Sequence, residues 1–189
     1  MNPTPTMDAL AAGNAPENPF WDFSLAAYER SGVAEACLDL QERYGIDVNL
    51  LLFSAWAGHC GHSLGANEMA GLIAAAAAWQ VEVVRPLRSV RTWLKRQDHL
   101  PEDFGLREQT KALELQAEML EQLLLHRHLT LETGDAMPPD PRRVAANMRL
   151  YLASFAPKPS DADMADLAVI LRGACPETTP LEAIWSLGN

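Results

Sequence analysis

Cysteine is scarce in this chain. Cys37, Cys60 and Cys175 are the three among 189 residues, and no CxxC pair occurs. An odd count without paired spacing excludes a disulfide framework and a CxxC redox or zinc motif, and it suits a reducing cytoplasm. Long apolar runs are missing too. The longest, residues 48–58 and 71–79, fall well short of the roughly 20 residues a spanning helix needs, so no membrane insertion is expected. Residues 1–17 carry neither the basic start nor the apolar centre of a signal peptide and read as a mobile tail. A cytoplasmic location is the expectation. Positive charge is outnumbered, with 15 Lys and Arg against 25 Asp and Glu, for a net charge of −10. Such a field argues against nonspecific binding to nucleic acid or anionic lipid. The phosphate loops GxxxxGK[ST] and GxGxxG are absent, as is the ExxH pair of di-iron bundles, and no cofactor is expected.

What is present is helical periodicity, with no alternating strand pattern competing with it. Asn18-Pro19 reads as a cap and first helical residue, and Ser31-Gly32 as the break that ends this helix. Val33, Ala36, Cys37, Leu40 and Tyr44 recur at helical spacing, and Gly45 stands where a terminating glycine belongs. Asp47 caps a third helix, about 48–60, that is apolar nearly all round and therefore central and buried. Asn67 caps a long fourth helix running to about residue 97, in which Pro86 predicts a kink or a break. Further helices are read over about 106–131, 140–155 and 160–172, with a short last one from Thr179-Pro180. The expected fold is all-α, a compact bundle of six to eight helices. The expected organisation is a tail at 1–17, a helical core at 18–132 and a C-terminal helical extension at 133–189 packed on that core.

The strings NPFWDFSLAAYERSGVAEACLDLQERYGIDVNLLLFSAWAG (18–58) and WQVEVVRPLRSVRTWLK (79–95) resemble a proteobacterial family of unknown function, over roughly residues 18–130. The resemblance implies a bacterial, cytoplasmic helical protein. It carries over no catalytic residue.

Charge is polarised. Arg85, Arg88, Arg91, Lys95 and Arg96 fall within twelve residues that hold no acid. Arginine's planar fork suits carboxylate or phosphate. The patch either pairs with the chain's own acidic helices, docks an acidic protein partner, or binds a phosphorylated ligand. Nucleic acid fits least, because no stacking aromatic array flanks it. The apolar arc Trp79, Val83, Leu87, Val90, Trp93 and Leu94 is expected to face the core. Glu114, Glu118 and Glu121 read as a solvated face, opposite a Leu113, Ala117, Leu120 and Leu124 stripe that would serve core packing or a homodimer. Glu82 is expected to pair with Arg85. His59, Cys60 and His62 are the nearest approach to a metal cluster, yet tetrahedral zinc needs a further ligand from elsewhere. Cys60 beside two histidines would make a nucleophile only if one faced it, which neighbours on a helix do not. The functional expectation is a non-enzymatic interaction or regulatory protein that binds a protein partner through the basic face. The alternative is a helical enzyme or small-ligand carrier, its pocket between the third and fourth helices near Asn49, Trp56, Trp79 and Glu82.

Overall fold

The computed structural model describes residues 18–97, 105–131 and 138–188; the expected tail lies outside them. Helix α1 (Pro19–Tyr28) starts as the sequence predicts. The Asn18 side chain accepts the Trp21 N–H at 3.4 Å, and Pro19 fills a position that needs no donor. Gly45, with φ of +65°, ends α2 (Val33–Tyr44) in a left-handed conformation that a side chain would strain. Asp47 then accepts the Asn49 N–H at 2.9 Å and opens α3 (Val48–His59).

Helix α4 (Ala66–Trp79) starts earlier than a cap at Asn67 would allow, because the Glu68 carboxylate reaches back to the Gly65 N–H at 2.8 Å. Pro86 neither breaks nor ends the rod. A π-helical turn, Gln80–Val84, precedes it, and α5 (Arg85–Lys95) carries on. The Arg85 N–H donates to the Gln80 carbonyl five residues back. This widening comes where the proline ring would otherwise meet the carbonyl four residues before it. Helix α6 (Leu106–His128) follows, then α7 (Pro141–Ala153), α8 (Asp161–Ala174) and α9 (Pro180–Gly188). The last three open on Asp140, Ser160 and Thr179. With α4, the π turn and α5 taken as one rod, the described residues hold eight helical rods and no strand.

Helix α3 runs through the centre. Leu51, Phe53, Ala55 and Ala57 are fully buried on it. Phe20 of α1 meets Phe53 edge-on at 5.1 Å and Trp56 at 5.3 Å. Each such large side chain contributes about 1.5–3 kcal/mol by leaving water. Helix α7 lies directly on α3: a Cβ on Gly58 would stand 2.6 Å from Val144 Cα, so the two backbones touch. Arg43 pairs with Asp163 and Asp166, and Tyr44 donates to Asp163 at 2.7 Å, tying α2 to α8. One hydrophobic cluster extends from Phe20 to Leu187, so α7, α8 and α9 share the core of the preceding helices.

Helix α6 overturns the polarity expected of it. Glu114 and Glu121, read as solvated, are 5 % and 0 % exposed, whereas Leu113 is 53 % exposed. Helix α5 behaves alike. Val90 and Trp93 stand outside, Trp93 at 58 % exposure, while Arg88 and Arg91 turn toward α6. The reason is pairing: a carboxylate can be buried where guanidinium and amide donors meet it, and these helices bring both kinds together.

Candidate functional site

The chain's acidic and amide side chains converge where α3, the π turn, α5 and α6 come together. Arg88 donates through Nε to Glu114 at 3.0 Å and through Nη2 to Glu118 at 2.7 Å. Arg91 donates to both Glu114 oxygens through Nε and Nη2, the latter at 3.2 Å. Burial alone would raise the Glu114 pKa, but the hydrogen bonds from Arg91 and Arg88 outweigh it and hold the carboxyl below its ordinary range. Burial wins at Glu118, whose pKa is raised despite Arg88.

Deeper lies a relay of amides. Asn49 Nδ2 and Gln80 Nε2 both donate to Glu121 Oε2, at 2.7 and 2.8 Å. Gln122 Nε2 donates to Asn49 Oδ1 at 2.8 Å. These bonds fix which end of each amide is which, and they leave Gln122 Oε1 as an acceptor with no partner among the described residues. Asp47 Oδ2 and Glu121 Oε1 are buried without a hydrogen-bond partner among the described residues. Burial, then the charge of Asp47, pushes the Glu121 pKa up to about 9. Burial also raises Asp47, against the N–H groups of Asn49 and Leu50 and the charge of Arg88. The Tyr151 hydroxyl of α7 clamps the Asp47 backbone, accepting its N–H at 2.8 Å and donating to its carbonyl at 3.1 Å.

In front of this relay is a cavity of about 600 Å³, between α1, the end of α2, the start of α3, α5 and α6. Asp47, Asn49, Glu118 and Gln122 form its polar side, and Arg88 and Arg91 flank it. Trp21, Leu25, Val48, Leu52 and Leu115 supply apolar wall. Ser24 also lines it, buried, its hydroxyl without a partner among the described residues. The size suits a small organic molecule.

The residues singled out from sequence scatter. Asn49 lies in this cavity, and so do Arg88 and Arg91. Trp56 is a core residue between Phe20 and His126. Trp79 is half-buried and donates its indole N–H to the Ala117 carbonyl at 2.9 Å. Glu82 is exposed, and the structure records no ion pair between it and Arg85. Thus the cavity containing Asn49 opens between α3 and the α5–α6 pair, away from Trp56, Trp79 and Glu82. Arg85, Lys95 and Arg96 remain on the outer surface, Arg85 and Arg96 beside Trp93 in a shallow groove.

His59 donates through Nδ1 to the Ala174 carbonyl, 3.0 Å away, and His62 meets Glu68 at 3.0 Å. Burial pushes the Cys60 thiol up to about 11, the opposite of an activated nucleophile. No three His, Cys, Asp or Glu side chains among the described residues are grouped to hold a metal. The sequence also contains Gly61-His62-Ser63-Leu64-Gly65, which spells GxSxG. A nucleophile elbow needs a strand before the serine and a helix after it. Here α3 precedes, and Ser63 sits exposed on a loop. Glu121, Gln122 and Gln80 carry the relay and were not singled out as site residues. The available signal was complementarity, since Arg88 and Arg91 are spaced to meet Glu114 and Glu118 across an antiparallel helix pair.

A family model described as "Protein of unknown function (DUF2390)" matches residues 19–125, and the chain belongs to that family. The matched span includes every residue that lines the cavity. No curated protein and no solved structure matches the chain.

Proposed function

We propose that this member of the family binds a small organic molecule in the cavity between α1, α3, α5 and α6. The observation that carries the reading is Gln122. It is 3 % exposed, lines the cavity, and ends a fixed relay on an unpartnered acceptor. An unsatisfied buried acceptor costs about 1–3 kcal/mol, and a ligand donor at the cavity floor removes that cost. The apolar walls supply affinity, and the polar floor supplies orientation. Native mass spectra of untagged protein, purified gently from its own host, test this. Excess mass of a few hundred daltons is expected in the wild type and its loss in Ala112→Trp, which fills the cavity from α6. A bare wild-type mass overturns the reading.

A second reading, that a protein partner docks on the outside of α5 and α6, is favoured by the outward Trp93 and Val90 beside Arg85 and Arg96, and by the exposed leucines of α6. A second copy of the chain would use the same surface. Co-purification of a protein lost on Trp93→Ala supports it. A monomeric mass at tens of micromolar removes the homodimer.

A further inference from the structure

Resting on the cavity reading, we infer that the ligand is an α-amino acid with a large apolar side chain, its ammonium received by Gln122 and Asp47 and its carboxylate by Arg88 and Arg91.

The cavity offers both kinds of hydrogen-bonding group. Gln122 Oε1 and Asp47 Oδ2 are buried acceptors without a partner among the described residues. Gln122 does not turn over to present a donor instead, because its Nε2 is held by Asn49 Oδ1 at 2.8 Å, and Asn49 Nδ2 is held in turn by Glu121. Arg88 and Arg91 line the same cavity and supply donors. Each uses Nε and Nη2 on Glu114 or Glu118, and neither Nη1 has a bond among the described residues. The hydroxyls of Ser24, Tyr28 and Thr92 also line the cavity, and a hydroxyl donates or accepts as the ligand requires. Gln41 is engaged, donating to the Ile46 carbonyl at 3.3 Å. Glu108 and Lys111 are exposed, about three turns or more before Gln122 on α6, and offset each other.

Spacing selects the class. Gln122 follows Glu118 by one turn of α6, a rise of about 6 Å. Arg88 Nη2 is 2.7 Å from Glu118 Oε1, so this guanidinium stands about one turn from the Gln122 side chain. Arg88 is also near enough to Asp47 for its charge to oppose the effect of burial there. In an α-amino acid the ammonium nitrogen and the carboxyl carbon are about 2.5 Å apart. With a hydrogen bond of about 2.9 Å at each end, such a molecule bridges a gap of this size.

Charge excludes the two halves taken alone. An amine leaves both Nη1 groups unmet. An acid leaves Gln122 and Asp47 unmet and brings a third carboxylate beside Asp47 and Glu118. The zwitterion answers both sets and adds no net charge, and the open oxygen of Glu118 accepts the ammonium's third N–H. A neutral amide would also donate and accept, but bonds between charged partners are the stronger ones, and two guanidiniums face the carboxylate. The walls of Trp21, Leu25, Val48, Leu52 and Leu115 call for an apolar side chain.

The test uses the full chain and five probes: L-phenylalanine, 2-phenylethylamine, 3-phenylpropanoate, 3-phenylpropanamide and 2-phenylethanol. Calorimetry gives the affinities, and side-chain amide resonances report on Asn49 and Gln122. L-Phenylalanine is expected to bind at least tenfold more tightly than each of the others, to shift the Gln122 amide, and to lose its binding in a folded Ala112→Trp chain. If the amine binds as well, the carboxylate end is overturned. If the acid binds as well, the ammonium end is overturned. If the amide matches L-phenylalanine, the charged class falls. If all five bind alike and Ala112→Trp blocks them, the cavity stands and the inference falls. If none binds, the inference falls, and the native mass spectrum of the wild type decides the cavity reading separately.

Discussion

Asn49 donates through Nδ2 to Glu121 Oε2 at 2.7 Å, across the interface between the first turn of α3 and the middle of α6. The same side chain accepts Gln122 Nε2 at 2.8 Å. One amide thus satisfies a buried carboxyl and a buried amide at once. Asn49→Ala leaves both without it, and an unsatisfied buried polar group costs about 1–3 kcal/mol. The expected loss is about 2–4 kcal/mol, a fall in melting temperature of roughly 5–15 °C for a domain of this size. Differential scanning calorimetry checks it. An unchanged melting temperature would mean that the relay contributes nothing.

Glu121 sets a pH dependence of definite sign. Its folded pKa, raised to about 9 by burial and by Asp47, exceeds its unfolded value. The folded chain therefore binds the proton more tightly. This contribution to stability is fully present below the ordinary glutamate range and is lost as pH rises toward about 9. The limit for one proton is about 1.4 kcal/mol per pH unit. Urea unfolding at pH 5.5 and 8.5 should show a larger decline in wild type than in Glu121→Gln, which cannot titrate. Equal declines would remove Glu121 as the source.

The fold was legible where local chemistry decides it. Asn18-Pro19, Gly45, Asp47, Asp140-Pro141 and Ser160 mark element ends by capping and by proline and glycine geometry, which need no knowledge of neighbours. The all-apolar α3 could only be central. The site was less legible because α6 carries two stripes, leucines at 113, 120 and 124 and acids at 114, 118 and 121, and a single helix gives no reason to bury the acids. That reason sits on α5 and the π turn, in Arg88, Arg91 and Gln80. Asn49 could be recognised as a polar residue in an apolar helix that had to be bonded. Its partners could not be named without the packing.

Gly58 marks where α3 and α7 touch. A methyl group there would stand 2.6 Å from Val144 Cα and 2.7 Å from Val144 N, both backbone atoms that cannot swing aside. Gly58→Ala should therefore cost about 3 kcal/mol by forcing the helices apart, although alanine is the better helix former. Gly71→Ala is the comparison, since its nearest neighbour is a movable His128 side chain at 3.0 Å. Chemical denaturation of the two variants should separate them clearly.

The inverted polarity of α6 gives a paired test. Leu125 is fully buried, while Leu113 is 53 % exposed. Leu125→Ala should cost about 2–5 kcal/mol. Leu113→Ser should stay within about 0.5 kcal/mol of wild type. The sequence pattern alone predicts the reverse emphasis, with Leu113 in the core stripe. A large loss at Leu113 in a monomeric sample would mean that α6 is rotated from the orientation described.

Arg88 and Arg85 separate the structural from the outward part of the basic face. Arg88 is half-buried and pairs with two carboxyls, Glu114 being buried and Glu118 half-buried. Removing one partner of a fully buried pair costs 3–5 kcal/mol, but the Arg88 side chain is 30 % exposed, and solvent screens part of that loss. Arg88→Ala is therefore expected to cost about 1–3 kcal/mol. A double-mutant cycle with Glu118→Gln should return a favourable coupling. Arg85 is exposed and has no ion pair among the described residues, so Arg85→Ala should leave the melting temperature where it is. If Arg88→Ala also leaves it there, the guanidinium is held in reserve for something outside the chain, and the outer-face partner reading gains what the internal pairing loses.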